Sequence, residues 1–121
     1  MSLGKAPPAS AVVGDFAGRH ALAAVADDMR ARGLMLGALC ASNVEQYLFE
    51  AGTYSAFVEN VRRMPRDDAS LLVRVWLDPV RAHPLQRRGH RTTSLTTGAS
   101  AFVERAQARP YRSYWEVVTS P

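Results

Sequence analysis

The chain has 121 residues, 47% of them hydrophobic and 21% charged, and its 15 basic and 11 acidic residues give a formal charge of +4. That is ordinary usage for one globular domain able to bury about two-thirds of its unfolded surface, and it excludes collagen-like, disordered and two-domain readings. No apolar run approaches the roughly 20 residues that cross a bilayer, the N-terminus lacks an apolar signal core, and one cysteine excludes an intrachain disulfide and a multi-cysteine zinc site. The expectation is a soluble cytoplasmic chain, with no membrane contact and no metal.

Residues 1–10 hold Gly4, Pro7 and Pro8 without periodicity and read as a flexible leader, followed by a single α/β domain over 11–121. Val12 and Val13 suggest a short strand that runs into a loop closed by Gly18. Leu22, Val25, Ala26 and Met29 recur at helical spacing within residues 20–32, and Gly33 is a natural stop. Residues 34–41 form an almost unbroken apolar run of strand length, which suits a strand covered on both faces and makes Cys40 a small buried hydrophobe.

Ser42-Asn43-Val44-Glu45 has the form of a capping box, in which the glutamate reaches back to the cap amide. Val44, Tyr47, Leu48 and Ala51 then make one helical stripe, and Tyr54, Phe57, Val58 and Val61 make another beyond Gly52. Leu71, Leu72, Val73, Val75, Trp76 and Leu77 predict a strong strand. Residues 78–91 read as a loop, residues 92–97 as a short last strand, and Phe102, Val103 and Ala106 as a helix that begins near Ala99 and stops before Pro110. Tyr111, Tyr114, Trp115 and Val118 suggest a final turn or two of helix packed by its aromatics.

This order of elements predicts a small three-layer α/β fold: a mainly parallel sheet of three to four strands with helices on both faces. Ligands of such sheets bind outside the carboxyl ends of the strands, which brings forward Asp15 after the first strand and Ser42, Asn43 and Glu45 after the second. Turn formation accounts equally for Asp15, and capping for Ser42 and Glu45; packing explains Asn43 least. Between positions 62 and 91 eight arginines face three aspartates, while the remainder of the chain is slightly acidic. Arg81, Arg87, Arg88 and Arg91 are the candidates to hold a phosphate, and His83 and His90 share their loop. Of the 15 basic residues 14 are arginine, as a general arginine preference would also give, and no aromatic RNA-binding motif accompanies them.

Four segments carry a resemblance: VVGDFAG at 12–18, SNVEQYLFEAGTYSAFVENV at 42–61, SLLVRVW at 70–76 and RSYWEVV at 112–118. Together they resemble the C-terminal half of a family of bacterial proteins related in fold to class I S-adenosylmethionine-dependent methyltransferases. In that family the glycine-rich cofactor loop and the acidic residue after the second strand lie upstream of the matching part. The resemblance therefore implies a methyltransferase-like domain that is not an autonomous enzyme, and that meets S-adenosylmethionine only when a partner half completes it. Two alternatives accompany this reading, a basic module for phosphate or RNA and a homodimeric interaction subunit. Loss of the upstream half leaves a bare sheet edge in each case, so a homodimer or a missing N-terminal half is the expected partner.

Overall fold

The computed structural model describes residues 15–42, 44–78 and 80–121. The expected leader and the expected strand at Val12 and Val13 lie outside them, as does Asn43. In chain order the elements are α1 (Ala21–Ala31), β1 (Ala38–Ser42), α2 (Val44–Glu50), α3 (Tyr54–Arg63), β2 (Leu71–Trp76), β3 (Thr93–Gly98), α4 (Ala99–Ala108) and α5 (Tyr114–Thr119). No described helix is long and apolar enough to cross a membrane.

Glycine sets two of the boundaries. Gly33 and Gly52 take φ of +68° and +70°, the left-handed region that costs a side-chain-bearing residue energy. At Gly52 this conformation lets the Thr53 amide reach back to the Leu48 carbonyl at 2.9 Å, so α2 ends and α3 starts afresh. Ser70 aligns the start of the sheet. Its hydroxyl donates to the Leu36 carbonyl at 2.5 Å, and its own carbonyl accepts from the Ala99 amide at 2.8 Å, tying β1, β2 and α4 at one corner.

The sheet has the order β1-β2-β3, with β1 parallel and β3 antiparallel to the central β2. This corrects the expectation of a mainly parallel sheet. A parallel return needs a crossover, usually helical, whereas the segment between β2 and β3 contains no helix among its described residues, and a plain loop brings the chain back antiparallel. The three-layer expectation fails as well. Along β2 burial alternates, with Leu72, Arg74 and Trp76 buried and Leu71, Val73 and Val75 turned the other way. The buried residues of α1, α3, α4 and α5 and Leu48 of α2 belong to one cluster with Leu72 and Trp76, so the helices form a single layer on one face. The second face stays open among the described residues.

The run at 34–41 is accordingly not a doubly covered strand. Leu34 and Met35 precede β1 and are more than half exposed, and Cys40, in register with Val73, lies exposed on the open face rather than inside. In α2 the buried stripe is rotated from the expected one: Tyr47 is 67% exposed, while Glu45 and Leu48 point inward. A carboxylate has displaced a phenol from the core because its partner waits there.

Candidate functional site

Period-two alternation places Arg74 on the same face as Leu72 and Trp76, in the middle of the central strand, where a guanidinium has no route to water. It is 1% exposed, and Glu45 is fully buried opposite it. Arg74 Nε donates to Glu45 Oε2 at 2.7 Å, and the Tyr54 hydroxyl donates to Glu45 Oε1 at 2.7 Å. The guanidinium also lies over the Phe102 ring, 4.5 Å from its centre, so strand, α2, α3 and α4 all meet at one charge pair. Nη1 and Nη2 of Arg74 have no hydrogen-bond partner among the described residues.

The electrostatics follow from that burial. Desolvation, reinforced by the Glu45 carboxylate, pushes the Tyr54 phenol far above its ordinary value. Burial also raises Tyr111 and Tyr114, the latter donating its hydroxyl to the Val75 carbonyl at 2.7 Å. For Arg74 burial is the largest single influence and pulls the opposite way, but the charge and hydrogen bond of Glu45, with Tyr54 and Tyr114 adding to them, together keep the guanidinium above its ordinary range. With one oxygen on a phenol, the other on a guanidinium and no exposed surface, Glu45 offers no accessible oxygen to a substrate. It is a pinned anion, and it does not make the reciprocal capping bond that its spacing suggests.

The other expected site residues scatter. Asp15 is exposed, and its carboxylate and carbonyl accept from the amides of Ala17 and Gly18 at 2.9 Å each, an aspartate turn. Asn60 holds that turn against α3, its side-chain amide donating to the Phe16 and Gly18 carbonyls at 2.8 and 2.9 Å. Ser42 ends β1 opposite Arg74, at a shift in register, and Asn43 lies outside the described residues. The helix they would precede, α2, has seven residues.

The arginine-rich stretch is dispersed in the same way. Arg62 and Arg63 pair with Glu59, Arg66 reaches Ser100 Oγ at 3.1 Å, and Arg74 is inside. Arg81 lays its guanidinium 3.6 Å from the centre of the Trp115 ring, while its carbonyl accepts from Trp76 Nε1 at 2.7 Å. Arg87, Arg88 and Arg91 remain exposed on the loop. His83 is buried rather than solvated: Nδ1 accepts from the Leu85 amide at 3.0 Å, which leaves Nε2 to donate to the Val118 carbonyl at 2.8 Å and fastens the loop to α5. Among the described residues no cluster of His, Cys, Asp or Glu could hold a metal ion.

Two further features remain. One is the open sheet face, formed by Ala38, Cys40, Leu71, Val73, Val75 and Thr96, with the outer edge of β1 unpaired beside it among the described strands. The other is a cleft of about 530 Å³ in the helical layer between α3 and α4. Ala38 and Cys40 pair with residues 71 and 73 from one side, and Gly98, Thr96 and Ser94 pair with residues 71, 73 and 75 from the other, a placement that only the strand order reveals. Residues 9–120 match a protein family described as a domain of unknown function, DUF7790. No curated protein and no solved structure matches the chain.

Two outcomes are expected from the charge pair. Glu45→Gln should lower stability by about 3–5 kcal/mol in chemical denaturation by leaving the guanidinium uncompensated, and the double change Glu45→Leu with Arg74→Met should recover most of that loss. Alkali provides the second test. The phenols of Tyr54, Tyr111 and Tyr114 are raised in the fold above the unfolded value of about 10, so the stability they contribute is fully present below about pH 10 and is lost as pH rises through their folded values. In a Tyr47→Phe chain, which removes the one exposed phenol, absorbance near 295 nm should therefore appear together with loss of far-ultraviolet circular dichroism, and ionisation of these three groups in an intact fold would contradict the burial.

Proposed function

The chain belongs to the DUF7790 family, and we propose that it is an interaction module that pairs with a second copy of itself through the open face of its sheet. The observation that carries this reading is the alternation along β2, which turns Leu71, Val73 and Val75 away from the single layer of helices. Contiguous apolar surface of this sort marks contact sites in globular proteins. Every side chain on the face is uncharged: Ala38 and Cys40 from β1, the three apolar residues of β2, and Ser94 and Thr96 from β3. In a chain of charge +4, a face without charge is one that a twofold axis can repeat without setting like charges against each other. The same reading places the protein in the cytoplasm, where its lone exposed thiol stays reduced.

A methyltransferase half completed by an upstream chain is the second reading, favoured by the same uncovered face and unpaired β1 edge. The two are separated by what covers the face. Sedimentation at micromolar concentration is expected to give a dimer that strengthens as salt screens the net charge, and Val73→Asp should yield a folded monomer by placing a carboxylate in the contact. A wild-type monomer at low and moderate salt would overturn the self-pairing. Calorimetric titration of S-adenosylmethionine is expected to show no saturable binding tighter than about 100 μM, equivalent to about 5.5 kcal/mol, and tighter binding would overturn the self-pairing module and the incomplete half alike, in favour of a cofactor site held by this chain alone.

A further inference from the structure

The loop between β2 and β3 carries charge and apolar surface that neither the core nor the self-pairing uses. Over residues 77–91 four arginines face one aspartate. Val80 and Leu85, 93% and 69% exposed, are the two most exposed large hydrophobics among the described residues. A single aliphatic side chain in solvent is common and needs no account, but packing does not explain why the two barest ones fall together in an arginine-rich loop.

The loop is held in one shape. Asp78 Oδ1 accepts from the Val80 and Arg81 amides at 2.8 and 3.1 Å, and the Arg81 carbonyl accepts from Trp76 Nε1. The His83 ring is fastened to the Val118 carbonyl of α5. Two reverse turns follow, closed by the Gln86 amide on the His83 carbonyl at 2.9 Å and by the His90 amide on the Arg87 carbonyl at 3.0 Å. Leu85 sits at the tip of the first, and Gly89, at φ of +84°, lets the second reverse sharply with Arg88 at its tip. Gln86 Nε2 ties the two together by donating to the His90 carbonyl at 2.7 Å. Because folding has already ordered these residues, contact with a partner costs little further chain entropy.

Arg81 is occupied over the Trp115 ring, whereas Arg87, Arg88 and Arg91 are exposed, with no hydrogen bond or ion pair to their guanidiniums among the described residues. Arg91 and His90 line one hollow of about 570 Å³ with Leu77, Val80 and Gln86, so cationic and aliphatic groups share a surface. Unpaired guanidiniums suit phosphate oxygens and are drawn to an anionic surface. The aliphatic groups decide which one. Bases stack on flat rings, and the rings beside this loop are not offered, since Trp76 is buried and Trp115 lies under Arg81. A bilayer interface supplies what both sets of side chains need, phosphates at its surface and acyl chains just beneath.

We propose that this loop docks peripherally on an anionic phospholipid bilayer, with Val80 and Leu85 entering the acyl boundary and Arg87, Arg88 and Arg91 pairing with lipid phosphates. The inference does not rest on the self-pairing, because the loop is fastened to α5 in the helical layer and can meet lipid whether or not the open sheet face is covered.

Co-sedimentation of the full chain with vesicles of phosphatidylcholine and phosphatidylglycerol in equal parts should show binding about tenfold or more stronger than with phosphatidylcholine alone, weakening as salt is added. Two double variants separate the contributions. Arg87→Gln with Arg88→Gln should weaken that binding about tenfold, and so should Val80→Ser with Leu85→Ser; all four positions are exposed, so the melting temperatures should not change. Val80→Trp should give emission that shifts to the blue on the anionic vesicles beyond any shift of the wild-type chain, as insertion requires. Val73→Asp on the open sheet face should still bind, which keeps this outcome separate from that of the self-pairing. Equal binding to the two kinds of vesicle or binding to neither, a double variant that binds as the wild type does, unshifted Val80→Trp emission, or binding lost in a folded Val73→Asp chain would each overturn the proposal. A polyuridine oligonucleotide held more tightly than the anionic vesicles would overturn it in favour of RNA.

Discussion

A carboxylate and a guanidinium, Glu45 and Arg74, meet at 2.7 Å with essentially no access to water, and the rest of the structure is arranged to make that tolerable. Taking each ion out of water costs several kcal/mol, and the attraction between them offsets this only when the geometry is good and the remaining lone pairs are used. Tyr54 takes the second carboxylate oxygen and Phe102 offers its ring face to the guanidinium, which is why α3 and α4 must sit where they do. Apolar contact between α2 and the sheet carries no direction of its own. A charge-assisted hydrogen bond with a defined length carries one.

The same pair shapes what the outside of the molecule can do. Burying Glu45 turns Tyr47 out into solvent, and burying Arg74 removes one member from the arginine-rich stretch that looks like a basic patch in one dimension. Other arginines are held by Glu59, by Ser100 and by the Trp115 ring, which leaves Arg87, Arg88 and Arg91 of that stretch exposed on the loop after β2. Two other surfaces carry no unpaired charge: the open face of the sheet and the aromatic-walled cleft between α3 and α4. Their chemistry favours shape and apolar contact over long-range attraction.

Much of the local architecture was legible in the residues. The stripe Leu22, Val25, Ala26, Met29 forms α1, the stripe Tyr54, Phe57, Val58, Val61 forms the inner face of α3, and Gly33 and Gly52 fall where left-handed turns end α1 and α2. The buried charge had a signal too. An arginine two residues from Leu72 and two from Trp76 in a strand shares their face, and such a residue demands a counter-charge. Asp15, by contrast, is a residue whose turn role and ligand role look identical in sequence, and the turn role is the one visible in the bonds it accepts from the Ala17 and Gly18 amides.

What the sequence determined by itself is most of what is set within one turn of helix or one strand: the stripes of α1 and α3, the glycine stops, the strand at β2 and the aromatic tail, though not the inward face of α2 or the cover of the run at 34–41. The tertiary structure decided the direction of β3, the absence of a second layer of helices over the sheet among the described residues, and the identity of the partner that Arg74 finds 29 residues away. The physical reason is range. A side chain's periodicity is fixed by its near neighbours along the chain, whereas strand direction depends on what the connecting segment can span, and a counter-ion is chosen only when two distant faces are pressed together and water is gone.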